Sequence, residues 1–238
     1  MHQILKELSV IIPCKDDHLR IDENIEEISN YLTKNVKSYE ILIVSNGSTK
    51  ESIDYLELSK NNYPNIEHLV LDKSGKGLAI KHGLINSKYR NVLYIDADSS
   101  VNITELNKFT SKGMLISGFV VGNRKNKNSE NINSPILRHL SGFLYLKLIR
   151  TLFNLNFEDT QCGFKAIDKQ IFSESYNFIT KGYSFDLELF LLAKKQNVKV
   201  HEIPVKYVHN LDSKVKIFKD TIMMLIELLV IYKQRENY

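Results

Sequence analysis

Residues 92–100 read Val-Leu-Tyr-Ile-Asp-Ala-Asp-Ser-Ser. The apolar run Val92 to Ile95 is a buried strand, and it stops at two aspartates one residue apart. Asp96 and Asp98, with Ala97 between them, could set carboxylate oxygens around one hard divalent cation. Mg2+ and Mn2+ prefer such ligands and bridge phosphates. Aspartates also end strands as turn or cap residues, so the tripeptide alone leaves both roles open.

Working outward, the same grammar repeats. Leu8 to Pro13 and Glu40 to Val44 are further continuous apolar runs, and Ile66 to Leu71 and Ile116 to Val121 read as strands as well. Between them, Asp22 to Asn35 places Ile25, Ile28 and Leu32 on one helical face. Glu51 to Asn61 and Lys76 to Ser87 also read as helices, the second opened by a Gly75-Lys76-Gly77 turn. Unbroken apolar strands alternating with helices predict an α/β fold with a mostly parallel sheet covered on both faces. Ligands of such sheets bind beyond the carboxyl ends of the strands. Pro13, Asn46, Asp72 and Asp96 all fall there, with Asp17 close by. A helix N-terminus with glycines accommodates an anion, and Lys76 adds a point charge.

The second half is less regular. Pro135 to Phe157 and Ser184 to Gln196 read as helices, Gly163 to Ile167 as a strand and Val198 to Val208 as extended. Lys214 to Gln234 is a C-terminal amphipathic helix. No repeat or flexible linker divides the chain, so residues 1–211 are expected as one domain and 212–238 as an appended helix.

Composition narrows the class. Of 238 residues, 43% are hydrophobic and 25% charged, with 10 Gly and 4 Pro. That excludes a disordered or collagen-like chain. Cys14 and Cys162 have neither disulfide-scaffold nor zinc-site spacing, and a reducing compartment is expected. No apolar run reaches the roughly 20 residues of a spanning helix, and no secretory leader is evident. The net charge of +4 comes from the stretch after residue 193, and Arg124 to Arg150 forms a second basic zone. Basic zones attract phosphate, nucleic acid or anionic lipid. No nucleic-acid reading motif accompanies these residues, so nucleic acid is not expected as a partner.

The motifs LSVIIPCKDD (8–17), EILIVSNGST (40–49), GKGLAIKHG (75–83), YIDADSS (94–100), VVGNR (120–124), DTQCGFKAID (159–168), FDLEL (185–189), HEIPVKY (201–207) and DSKVK (212–216) occur in this order. In that order they resemble the family-two glycosyltransferases, nearest the branch with dolichyl-phosphate glucose and mannose synthases and bacterial polyprenyl-phosphate glycosyltransferases. The resemblance implies the GT-A fold, a Rossmann-like sheet with helices on both faces. It also implies transfer of a hexose from a nucleotide-sugar to a polyprenyl phosphate with inversion. UDP is the favoured nucleotide, by analogy with the glucose synthases.

Roles follow from the same likeness. Asp96 and Asp98 resemble the pair that holds Mg2+ or Mn2+ on the donor diphosphate. Pro13, Asp17, Asn46, Lys76 and Ala97 join them as nucleotide-sugar contacts. Arg124, with Arg138, is the candidate for the acceptor phosphate, since an arginine fork suits phosphate oxygens. Lys214 resembles a lysine that closes over the diphosphate. Asp159 could contact a donor-sugar hydroxyl, orient a basic residue or brace a loop, and Gln161 is similar. Asp186 and Glu188 could face the site or merely stabilise a helix, one of them being expected to face it, and Cys162 is read as packing. The chain departs from the family at Ser45-Asn46-Gly47-Ser48-Thr49-Lys50, where many relatives have Asp-Asp-Gly-Ser-x-Asp. Asn46 can accept a hydrogen bond from a base, but without charge assistance.

Two rival functions stay open on the sequence: transfer to a sugar hydroxyl, which needs a general base, and a degenerate nucleotide-binding scaffold. The run Ile222 to Tyr232 is apolar except at Glu227, with basic residues at both ends. It is too short to span a bilayer but suits either a membrane interface or a protein surface. The expected location is peripheral, at the cytoplasmic membrane face. A homo-oligomer stays open.

Overall fold

A computed structural model of the chain describes residues 5–132, 136–171, 178–209 and 217–238. Strand and helix alternate as the apolar runs require. The first half comprises β1 (Leu5–Cys14), α1 (His18–Asn35), β2 (Val36–Asn46), α2 (Lys50–Ser59), β3 (Ile66–Leu71), α3 (Lys76–Asn86) and β4 (Asn91–Ile95). A small hairpin, β5 (Thr110–Ser111) and β6 (Met114–Leu115), leads to β7 (Phe119–Asn123). Then follow β8 (Glu130–Ile132), α4 (Ile136–Phe153), β9 (Phe164–Asp168), α5 (Phe185–Lys195), β10 (Val200–Pro204), β11 (Lys206–Val208) and α6 (Ile217–Lys233). The expected boundary at residue 211 lies outside the described residues.

The main sheet has seven strands in the order β10-β7-β9-β4-β1-β2-β3. All its neighbours pair in parallel except β9, which runs antiparallel to both β4 and β7. The sheet is thus mostly parallel, as the unbroken apolar runs predict. Chain order reverses between β1 and β4, which opens a crevice at their carboxyl ends.

Both sheet faces are covered. Leu8, Val10 and Ile12 of β1 join Leu93 and Ile95 of β4 in a core closed by Ile21, Ile25, Ile28 and Leu32 of α1. The intervening residues Ile11, Val92 and Tyr94 face the other way, against α3, α4, α5 and α6. Burial of each such aliphatic side chain contributes about 1.5–3 kcal/mol. Helix α5 is buried at every position from Phe185 to Ala193 and exposed at Lys194 and Lys195.

Several boundaries move. α1 begins at His18, four residues before the sequence reading, and β2 begins at Val36 directly after it. The strand expected at Ile116 to Val121 is β7, displaced because Gly118 turns the chain with φ 109°. The extended segment Val198 to Val208 divides into β10 and β11, which pair with β7 and β8 respectively. The C-terminal helix packs one face on the domain and leaves the other exposed. Leu228 and Ile231 are buried against the domain, whereas Ile222, Met223, Ile226, Leu229 and Val230 are exposed.

Candidate active site

A cleft of about 1120 Å3 opens at the carboxyl edge of the sheet. Pro13, Asp17, Asn46, Lys76, Asp96, Ala97, Asp98, Arg124, Asp159 and Gln161 all line it. Asp72, just past β3, does not. Arg138 sits in α4, but its side chain is outside the described residues, as is Lys214 altogether. The strand ends therefore gather the predicted donor and acceptor groups around one space.

At one end, Asn46 is buried and its carboxamide is engaged. Its Nδ2 donates to the Cys14 carbonyl at 2.7 Å, and its Oδ1 accepts from Gly75 N at 2.9 Å. Asn46 thus ties β1 and β2 to the Gly-Lys-Gly turn, a bracing role the sequence reading did not assign to it. Asp17 precedes α1 and pairs with Arg20 at 3.2 Å. Asp16, unassigned in the sequence reading, also lines the cleft, and its Oδ1 accepts from Thr49 N at 2.7 Å.

The acidic pair lies at the end of β4. Asp98 Oδ1 accepts from Ser100 N at 3.0 Å. Asp96 Oδ1 receives the Lys76 ammonium at 2.6 Å. Burial works against the Asp96 charge, but Lys76 first, then Lys165 and Arg124, outweigh it and hold its carboxyl below the usual range. Burial likewise opposes the Lys76 charge, and Asp96 and Asp186 overcome it to raise its pKa. Gly163 explains the fit: a Cβ there would stand 1.8 Å from Asp96 Oδ2, so only glycine leaves room for this carboxylate.

Beneath the pair is a buried polar group that the sequence reading missed. Lys165 of β9, 0% exposed, reaches Asp186 Oδ1 at 2.7 Å. The Tyr94 hydroxyl donates to the same carboxylate oxygen. Burial first, and Asp186 second, push the Tyr94 phenol well above its ordinary range. Asp186 lines the cleft, as expected of one acid of FDLEL. Glu188 instead accepts from Ile179 N and Thr180 N, each at 2.7 Å, and organises the preceding loop.

Across the cleft, Arg124 follows β7 and grips Asp159 in a fork, Nε to Oδ2 at 2.7 Å and an Nη to Oδ1 at 2.9 Å. Asp159 is 1% exposed. Burial disfavours its charge, but the Arg124 guanidinium overrides this and holds the carboxyl far below the usual range. Of the roles open to Asp159, orienting a basic residue is the one the geometry displays. The Tyr207 ring lies 5.2 Å from the guanidinium carbon and supports it from another side. Gln161 Nε2, Thr160 Oγ1 and Ser100 Oγ are buried cleft-lining atoms without a hydrogen-bond partner. Cys162 is fully buried, and burial pushes its thiol up to about 12.

A mostly parallel sheet carrying an aspartate pair, a Gly-Lys-Gly turn and an arginine fork in one cleft defines a class: an α/β fold built to hold anionic, phosphate-bearing ligands. The chain belongs to glycosyl transferase family 2, whose family model matches residues 9–175. It is accordingly a glycosyltransferase. The dolichyl-phosphate beta-glucosyltransferase of Dictyostelium discoideum is 28% identical over 234 residues, 91% of this chain and 71% of that protein. The mannosyl-3-phosphoglycerate synthase of Rubrobacter xylanophilus superposes with TM-score 0.73 at 17% identity, over 98% of this chain and 76% of that one. The glucosyl-3-phosphoglycerate synthase of Mycobacterium tuberculosis, crystallised with Mn2+, uridine diphosphate and glucosyl-3-phosphoglycerate, gives TM-score 0.66 at 15% identity. That match covers 94% of this chain and 79% of the other. Both structures share the GT-A architecture expected from the motifs.

Proposed function

We propose that the protein transfers a hexose, glucose from UDP-glucose first among candidates, to a polyprenyl phosphate with inversion. The observation that supports this is that one cleft carries Asp96, Asp98 and Lys76 on one side and Arg124 on the other. The names of the relatives agree, and so does the uridine diphosphate held by a protein of the same fold.

Pro13, Asp17 and Asn46 hold the nucleoside end of the donor. Lys76, Ala97 and the acidic pair hold its diphosphate. Among the described residues, no three His, Cys, Asp or Glu side chains gather into a metal cage. The all-oxygen donor set of Asp96 and Asp98 fits a hard cation shared with the diphosphate, Mg2+ or Mn2+. When bound, that ion would neutralise charge on the leaving diphosphate. Arg124, through the N–H groups that Asp159 leaves unengaged, and Arg138 receive the acceptor phosphate, with Asp159 as the positioning residue that fixes the guanidinium. Gln161 offers its amide to the ligands from the cleft wall.

A phosphate acceptor is largely ionised at neutral pH, its second pKa being about 6. It needs alignment rather than a general base. This suits the cleft. Asp159 is held strongly ionised by Arg124, and Asp186 is occupied by Lys165 and Tyr94. Transfer to a sugar hydroxyl would require one of them to accept a proton, for which both are poorly disposed.

The assay is a panel of nucleotide-sugars offered with short polyprenyl phosphates, read by product mass. The expected product is a single hexosyl polyprenyl phosphate from UDP-glucose. Transfer only to sugar hydroxyls would overturn the reading. Arg124→Ala will raise the acceptor KM by about 10–100-fold, because charge-assisted hydrogen bonds contribute about 1.5–3 kcal/mol. The donor KM will change less. An equal loss on both substrates would remove Arg124 from the acceptor side.

The same cleft is bordered by α4 and α6. Their exposed Phe143, Leu144, Leu148, Ile226 and Leu229 form an apolar surface suited to the lipid interface in which such an acceptor resides. Among the described residues, no helix is long and apolar enough to cross a membrane, so association through this surface is peripheral. The double variant Ile226→Asp/Leu229→Asp will cut partitioning onto anionic vesicles by roughly 100-fold or more, from the apolar transfer energy lost. Turnover of a short, water-soluble acceptor will persist. A change in sedimentation instead of vesicle binding would assign the face to a second copy of the chain.

A further inference from the structure

We infer that Glu227 of α6 is a positioning residue of the donor site. The inference rests on the reading of the cleft as a nucleotide-sugar site.

Glu227 is the one charged side chain in the run Ile222 to Tyr232. A carboxylate in such an apolar helix is costly unless it is satisfied. It is satisfied here by backbone donors of one short segment. Oε1 accepts from Gly182 N at 2.9 Å and Oε2 from Ser184 N at 3.1 Å. One turn earlier on α6, the Met224 carbonyl accepts from Ser184 Oγ at 3.2 Å. The Tyr145 hydroxyl of α4 approaches the same Ser184 Oγ at 3.1 Å. Ser184 is the N-cap residue of α5, so Glu227 also places negative charge at a helix N-terminus, where it is stabilising.

The other side of this segment carries the donor turn. Gly77 N donates to the Lys181 carbonyl at 2.9 Å. Gly75 lies so close that a Cβ there would meet the same carbonyl oxygen at 2.3 Å. Between these glycines is Lys76, whose ammonium reaches Asp96 at 2.6 Å. The residues before the segment have a separate anchor, since Ile179 and Thr180 are tied to Glu188 in the core. Glu227 therefore governs Lys181–Ser184 specifically. That segment is the floor on which Gly75, Lys76 and Gly77 rest. Removing the carboxylate releases two backbone donors and lets the floor shift, which displaces Lys76 from the diphosphate position. A helix whose outer face is apolar and exposed thus sets the geometry of the phosphate-binding turn through its inner face.

The test is calorimetric titration of UDP, with Mn2+ present, into the full-length protein and its variants. Glu227→Ala is expected to weaken UDP binding by about tenfold or more, as lost charge-assisted hydrogen bonds would. Glu227→Gln keeps one acceptor oxygen and will fall between. Leu228→Ala, which loosens α6 packing without touching the loop, will lower thermal stability but leave the UDP Kd within about twofold, since it lies outside the network. In a Lys76→Ala background, Glu227→Ala will add little further loss, because coupled residues are non-additive. If Glu227→Ala does not fold, Gly182→Ala probes the same link, for its Cβ would press on Glu227 Oε1 at 2.8 Å. Wild-type UDP affinity in a folded Glu227→Ala or Gly182→Ala protein overturns the inference. So does an equal affinity loss in Leu228→Ala. A wild-type protein that does not bind UDP with Mn2+ overturns the proposed function, and this inference with it.

Discussion

Asp98→Ala will yield a folded protein whose hexosyl transfer falls by roughly a thousandfold. The charge stabilisation supplied by a correctly held divalent ion contributes several kcal/mol, and each ~1.4 kcal/mol is a factor of ten in rate. Asp98 is well suited to this test because its only described hydrogen bond is with Ser100 N, two residues on. Nothing in the core depends on it. The companion Asp96 is bound to Lys76 and pressed against Gly163, so its removal would disturb several partners at once. The measurement is kcat/KM for UDP-glucose across a Mn2+ titration, beside a thermal melt. On the proposed reading, excess Mn2+ will recover little of the lost rate, since one of the two carboxylates assigned to the ion is gone. An Asp98→Ala protein with undiminished turnover would remove the acidic pair from the chemistry.

Lys165→Met will produce the largest stability change. Lys165, Asp186 and Tyr94 share one carboxylate oxygen in the interior, and the lysine also donates to the Cys162 carbonyl at 2.5 Å. Deleting one partner of a buried ion pair strands the other charge and costs about 3–5 kcal/mol. That is a large part of the 5–15 kcal/mol typical of a whole domain. For a chain of this size the melting temperature will fall by roughly 6–20 °C. The triple change Lys165→Met/Asp186→Leu/Tyr94→Phe, which removes the polar group entirely, will recover much of the loss, as apolar replacement of buried ion pairs often does. A drop below about 1 kcal/mol in Lys165→Met, measured by urea unfolding, would show that the pair contributes little.

The fold was legible because parallel strands covered on both faces must be apolar at consecutive positions. Leu8 to Pro13, Glu40 to Val44 and Val92 to Ile95 largely obey that rule, and polar residues that follow two of them, Asn46 and Asp96, line the cleft. The site was legible where polar groups end such a run, as at Asn46, Asp96 and Asp98. It was illegible where a polar residue is buried inside an element. Nothing in FKAID marks Lys165 as interior or β9 as antiparallel, since a five-residue strand reads alike in either direction. Asp186 and Glu188 stand two residues apart on α5, yet both are buried because that helix is enclosed on every side. No amphipathic pattern could separate their duties. Glu227 looked like a lone polar interruption because its partners are backbone groups some forty residues away, which no side-chain pattern encodes.

The reversed strand β9 has a metric consequence. Because it runs against its neighbours, its entry rather than its exit meets the cleft, which brings Asp159 and Gly163 beside residues that follow β7 and β4. It also stands alone between those two strands. Neighbouring strands lie about 4.8 Å apart, so the backbones that launch Asp96 and Arg124 are spaced by twice that, roughly 10 Å. On the proposed reading of the cleft, the separation of the donor and acceptor groups is therefore set by the sheet itself.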